Sequence, residues 1–552
     1  MRARSVFDGG ASLLALVLAL NAGTAPGASA GNEASSLKPL APKDWSDAHA
    51  AHLLRRAGFG GPQAEIEKLA AMGLDAAVAH LVDYQQHKYD PAPPPVPEEL
   101  FERPDRRERS RMTEEERRAE EERRRRLERQ ALEETRLWWL ERMLESPRPL
   151  EEKLVLFWHG HFTSGAREVR SAVFMKEQND LFRRLAAGSF RELLLAVSKD
   201  RAMLTYLDGN RNNKKQPNEN YARELLELFT LGEGNYSESD IKAAARAFTG
   251  WGYDEDGFVI RKAQHDDGRK TFLRRTGDFG GEEIVSIVLE QPECARFLAA
   301  KLLRYFVRPD PSRALQEALA REIRRHDYQL RPVLRTLFSS EAFYHPEARG
   351  SLVKSPVELV VGASRALEAP VGNLELAERA VASMGQELFQ PPNVKGWPGG
   401  PHWITTATVY QRYNTVNAMI TGPPDGVRAI QERRRRQRES NDEAEDAEGG
   451  MMAQADTMTS ESMRDAARPT PKSRRDGRAQ RPLNPMSLLP TGVESAEQIV
   501  DALCARLLAV ELPPEKRAAL LEYLSRNATA DDQDRLRMVV QLICSSPEFQ
   551  RF

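Results

Sequence analysis

The stretch Asn218-Glu219-Asn220-Tyr221-Ala222-Arg223-Glu224-Leu225-Leu226-Glu227-Leu228-Phe229-Thr230-Leu231-Gly232 reads as one well-punctuated helix. At 3.6 residues per turn, Tyr221, Leu225, Leu228 and Phe229 form an apolar stripe, while Glu219, Arg223 and Glu227 stand four apart on another face. Asn218 is placed to cap the start, and Gly232 follows the last apolar residue, where helices end in the left-handed conformation. The acid, base, acid ladder has two readings. It is either surface pairing worth about 0.3–0.5 kcal/mol per pair, or a site. The polar lead-in 212–220 favours a site, as does the apolar run 243–251, whose single charge is Arg246. A lone arginine among apolar residues calls for an acidic partner.

The same helical grammar extends to both sides. Amphipathic segments recur at 47–56, 64–72, 74–84, 150–162, 169–185, 190–199, 241–248, 282–289, 294–306, 312–326 and three times after 496. Capping boxes at Thr113–Glu116, Ser237–Asp240 and Ser355–Glu358 open helices. The expected fold class is therefore mainly α, a multi-helix globular core with one small β-hairpin insertion where Phe258-Val259-Ile260 follows the Asp256-Gly257 turn. Residues 337–343 (Leu-Phe-Ser-Ser-Glu-Ala-Phe) are echoed by 543–549 (Ile-Cys-Ser-Ser-Pro-Glu-Phe), as if two helices end alike.

Composition divides the chain further. Residues 1–30 carry Arg2 and Arg4, an apolar run 11–20 and the small-residue site Ala28-Ser29-Ala30, the pattern of a secretory signal peptide despite Asp8. Export to the periplasm or beyond is the expectation, with no stable membrane insertion after cleavage, because no later stretch reaches transmembrane length. Residues 31–88 form the N-terminal part of the core. Residues 89–131 are a Pro-rich and Arg/Glu insertion whose helix docks only from Leu132 onward, and 132–430 are the main core. Residues 431–485 are low-complexity and expected to be disordered, and 486–552 are the C-terminal part of the core. The 80 basic and 82 acidic residues leave a net charge of −2, so no overall field recruits nucleic acid. Of the three cysteines, Cys504 and Cys544 could pair in an oxidising compartment, or all three could be buried thiols.

Three further places carry chemistry. His159 and His161 end a helix, where residues two apart point about 200° away from each other and cannot share one ion. His265-Asp266-Asp267 presents a histidine that a carboxylate could orient for acid–base work, or an ordinary exposed turn. The loop 393–403 carries Lys395, Trp397 and Trp403 among glycines and prolines, either as a stacking platform or as a plug for the core. Asp254-x-Asp256-Gly257 fails as a calcium loop, because Gly252 and Ala263 stand where acidic ligands are required. Ser351-x-x-Lys354 lacks the further motif of serine acyl-transferases. Nucleophile elbows, phosphate loops and dinucleotide fingerprints are absent from the sequence.

Taken together, His52-Leu-Leu-Arg-Arg-Ala-Gly-Phe-Gly60, Phe157-Trp-His-Gly-His-Phe162, the 218–232 helix, Ala244-Ala-Arg-Ala-Phe-Thr-Gly-Trp251, His265-Asp-Asp-Gly268, Lys354-Ser-Pro-Val-Glu-Leu359 and Asn393-Val-Lys-Gly-Trp-Pro398 resemble the DUF1800 family, from about residue 44 to the end. The charged helix before Arg136 and the 431–485 segment look like insertions that leave these blocks intact. The resemblance implies exported bacterial proteins with no assigned activity. Their genes often neighbour those of a second exported, sulfatase-like family, so the partners it suggests are surface polymers and such a protein.

Three functional readings follow. The first is an enzyme, a hydrolase or lyase of an envelope or extracellular polymer such as a glycan. Here Glu219 or Glu224 is acid or base, Arg223 holds an anionic group, His265 with Asp266 is the partner, and Trp251 or Trp397 stacks on substrate, with Asn218, Asn220 and Lys395 alongside. The second is a non-catalytic binding or assembly protein with the same residues in a buried network. The third is a metal-dependent hydrolase using His159 or His161 with His265 and a carboxylate. The sequence names no cofactor.

Overall fold

A computed structural model describes residues 36–94, 96–101, 110–369, 373–422, 482–526 and 532–552. The signal-peptide reading and nearly all of the 431–485 segment lie outside the described residues. Leu483, read as part of that segment, is buried and its N–H bonds to the Ile420 carbonyl at 2.8 Å, so the C-terminal part of the core begins before 486.

The chain is mainly α. All three capping boxes form. Thr113 Oγ1 accepts from the Glu116 N–H at 3.2 Å, while the Glu116 carboxylate accepts from the Thr113 N–H at 2.7 Å. Ser237 with Asp240 and Ser355 with Glu358 repeat the exchange. A single hydrophobic core runs from Ala50 to Phe549 and takes in side chains from before the charged insertion, between the two insertions and after the second.

The charged helix Glu114–Glu145, the long helix, is laced by ion pairs over its first half, such as Arg118 with Glu114 at 2.5 Å. It docks earlier than the sequence implies. A satellite cluster of Leu100, Ala131, Ala172 and Val173, with Leu127 and Phe174 against it, holds the helix one turn before Leu132. Its partner in this contact, Leu100, lies in the Pro-rich insertion.

Among the described residues the β structure comprises two hairpins rather than one. Trp251–Asp254 pairs with Gly257–Ile260, as the Asp256-Gly257 turn implies. Lys270–Phe272 pairs with Arg275–Gly277 around Leu273 and Arg274, whose φ values are +46° and +66°. A left-handed turn built from leucine and arginine carries none of the Asn-Gly signal by which such turns are read.

The echoed heptapeptides are structural equivalents. Ser340 Oγ accepts from the Phe343 N–H at 3.3 Å, and Ser546 Oγ accepts from the Phe549 N–H at 3.4 Å. Each turn is bridged to a distant extended segment, Pro39 to Ser340 and Val353 to Arg551. Each also gives its phenylalanine carbonyl to a buried side chain: Phe343 bonds His52 Nε2 at 2.9 Å, and Phe549 bonds Lys354 Nζ at 2.7 Å. Between them, Arg56 donates to the carbonyls of Val307, Ala348 and Phe552.

Candidate functional site

The central helix is not uniformly α. Asn220–Glu224 is α-helical, and Leu225–Thr230 then widens into a π-turn before Gly232, at φ +78°, ends it. Such π-turns are energetically marginal and recur at functional sites. Here the widened turn is braced from the neighbouring helix Pro149–His161, whose His161 Nε2 bonds the Phe229 carbonyl at 3.1 Å. Tyr221, Leu225 and Phe229 are buried, as the stripe implies.

His161 is enclosed by Phe157, Trp158, Phe162, Phe190, Phe229 and Phe297. His159 faces a different set, Trp139, Phe182, Phe389 and Trp397. Burial lowers both imidazoles to about 3. Both are therefore neutral buried groups, and they do not face one site. Among the described residues no three His, Cys, Asp or Glu side chains are grouped as a metal site would need.

The 393–398 loop closes over the end of this helix. Asn393 Oδ1 accepts from the Lys395 N–H at 2.9 Å, turning the chain so that Gly396 rests on the Gly160 carbonyl and Trp397 meets the His159 ring edge-on at 5.4 Å. Trp403 is buried and acts as a plug, while Trp397 stays half-buried. The Lys395 ammonium lies 3.9 Å from Glu227 and 4.0 Å from Glu233. The Glu227 carboxylate also accepts from the Tyr236 hydroxyl at 3.3 Å. Glu224, where the α-helix passes into the π-turn, is half-buried. Burial first and the Glu227 charge second raise its carboxyl above the usual range, against opposing pulls from Lys395 and Arg223. The Tyr206 hydroxyl nearby is pushed up to about 12 by burial and by Glu168 and Glu224.

A family profile described as protein of unknown function (DUF1800) matches residues 52–551. The chain belongs to that family. No curated protein and no solved structure matches it.

Within this DUF1800 chain, the remaining predicted residues do not join the Glu224–Glu227–Lys395 group. Asn218 is not the N-cap. Its Oδ1 accepts from the Asn220 N–H at 2.9 Å in a local turn, and Glu219 occupies the cap position without a side-chain cap bond. Asn220 is exposed. Arg223 bonds Glu219 at 3.1 Å and Glu238 of the next helix at 2.6 Å, with its side chain 38% exposed, so this part of the ladder is surface pairing. Arg246 has the acidic partner its setting demands, but that partner is Asp266, in a two-pronged contact at 2.7 and 3.1 Å. Asp266 is thereby held at about 2 and is committed to Arg246 rather than to His265. His265 bonds the Thr249 carbonyl at 2.7 Å through Nδ1 and lies 3.9 Å from Asp267. Trp251 is 2% exposed between Phe248 and Phe258, so its ring faces cannot receive a ligand.

Glu227, a rung of the ladder, is given no chemical role by the sequence, although its spacing of three from Glu224 is the signal that pairs them. The Ser351–Lys354 pair is not a dyad. Ser351 bonds the Ala348 carbonyl at 2.7 Å, and Lys354 turns to Phe549. All three cysteines are free thiols, Cys504 and Cys544 among them.

Proposed function

We propose that the protein is an exported acid–base enzyme, a hydrolase or lyase of an envelope or extracellular polymer, working at Glu224 and Glu227. The observation that carries this reading is a pair of carboxylates held in unlike environments on one braced π-turn. Glu224 is half-buried and raised, while Glu227 stands beside the Lys395 ammonium and the Tyr236 hydroxyl. Two carboxyls in unlike surroundings can divide the roles of general acid and general base. Glu224, raised by burial, takes the part of the acid and Glu227 that of the base, while Lys395 is exposed and placed to hold an anionic group of the substrate.

The test is turnover. Wild-type protein is incubated with a panel of neutral and acidic polysaccharides, with new reducing ends and unsaturated products both recorded. Glu224→Gln should lower kcat by a factor on the order of 10² or more. Turnover that survives Glu224→Gln unchanged would remove the reading. N-terminal sequencing of the secreted chain, expected to begin at Gly31, tests export.

A second reading, a binding or assembly protein of the envelope, draws on the satisfied networks around Arg223 and Arg246, which resemble structural bracing more than an open site. Saturable polymer binding without turnover would favour it.

A further inference from the structure

The long helix docks through its second half and leaves an open cleft of about 1120 Å³ between its first turns and the body. Arg117, Arg125, Arg129 and Arg136 line one wall, and Arg167 and Arg170 line the other. At 1.5 Å per residue the row on the helix is about 28 Å long. Glutamates alternate with the arginines, and among the described residues no aromatic ring lines the cleft.

Most of these charges are already matched. Glu387 takes Arg136 at 2.7 Å and Arg167 at 3.0 Å, Glu128 accepts from the Ala172 N–H at 2.7 Å, and Glu120 holds Arg123 at 2.9 Å. Arg129 and Arg170, by contrast, make no ion pair or side-chain hydrogen bond among the described residues, and Arg117 touches only the Thr113 carbonyl, at 3.4 Å. The cleft therefore offers free guanidiniums set between carboxylates that keep acceptor capacity.

The geometry points to a binding channel for a linear acidic polysaccharide, with Arg129 and Arg170 taking its carboxylate or sulfate groups and Glu120 and Glu133 accepting from its hydroxyls. A guanidinium presents a planar fork that fits either anion. A carboxylate beside it suits a hydroxyl donor, and so selects a chain that alternates anionic groups with hydroxyls. A nucleic acid chain would find no ring to stack on among the described residues of the cleft. A neutral glycan would leave the guanidiniums unused. The channel lining shares no side chain with the Glu224, Glu227, Lys395 and Tyr236 group.

The test is a calorimetric titration of the mature chain with polygalacturonate, dextran sulfate, neutral dextran and polyglutamate, at low and high salt. Saturable binding to one or both acidic glycans is expected, with none to dextran. The double variant Arg129→Gln/Arg170→Asn should weaken it by roughly tenfold or more. Asparagine is chosen at 170 because that residue has φ +56°. The control pair Arg118→Gln/Arg126→Gln, on the same helix but outside the cleft lining, should stay within about twofold. If the double variant melts early, Arg129→Gln alone replaces it. Polygalacturonate and dextran sulfate separate carboxylate from sulfate as the anion taken. Absence of binding to either acidic glycan, equal losses in both variant pairs, or polyglutamate binding as tight as the glycans would each overturn the assignment. Glu224→Gln should bind like wild type, so a failure of catalysis at Glu224 leaves the channel standing.

Discussion

Gly396 rests directly on the carbonyl of Gly160, so the loop that carries Trp397 and Lys395 is pinned to the end of the helix that carries both buried histidines. A Cβ at 396 would overlap the Gly160 oxygen, and the backbone there has φ +83°. Gly396→Ala should therefore lower the unfolding free energy by about 2–3 kcal/mol. Chemical denaturation measures this. A change below about 0.5 kcal/mol would mean the loop is not anchored there.

Acid should destabilise the fold through His159 and His161. Both are fully buried and lowered to about 3, against 6.5 for the free group. The unfolded chain takes up their protons first. The stability is thus intact above pH 6.5 and is lost as pH falls from there toward 3. At pH 5 each histidine should cost about 2 kcal/mol. Comparison of wild type with His159→Phe at pH 5 and pH 7.5 should show the variant losing less on acidification.

Lys395→Gln should raise the Glu224 titration further, since the ammonium is one of the groups pulling it down. If protonated Glu224 is the working form, the alkaline limb of kcat/KM then moves to higher pH. Carboxyl NMR on glutamate-labelled protein reads the same shift directly. A limb that moves the opposite way contradicts the assignment of Glu224 as the acid.

Arg274→Gly should stabilise the second hairpin by about 0.5–1 kcal/mol, because Arg274 sits at φ +66°. Thermal unfolding of the variant checks this. An unchanged or lower midpoint would show that the arginine side chain contributes more than the strain costs.

Much of the fold was legible because helix starts are written locally. A serine or threonine with an acid three residues on forms a box wherever the chain goes, and all three predicted boxes are present. The site was less legible, because its members meet through tertiary packing. Nothing near Glu224 in the sequence announces Lys395, and a π-turn changes which residues share a face, so an α-helical wheel put Glu227 with Arg223 when its partners are Lys395 and Tyr236. The His265–Asp266 pairing failed for a related reason. Adjacency along the chain says nothing about which cation lies opposite, and Arg246 outcompetes the imidazole for the carboxylate. The lone arginine in its apolar run, read by the demand for a counter-charge, was the more dependable signal.

The bonds of Arg56 bear on when this protein can fold. Its two Nη atoms donate to the carbonyls of Val307, Ala348 and Phe552, between 251 and 496 residues away, and the bridges Pro39–Ser340 and Val353–Arg551 also join segments remote in the chain. An N-terminal half emerging from the ribosome would hold a buried cation with nothing to receive its protons. Burial of Arg56 in this arrangement must wait for residues near 550, so these long-range contacts form late in synthesis. A polypeptide that stays open until it is complete is also one that a translocation machinery can thread.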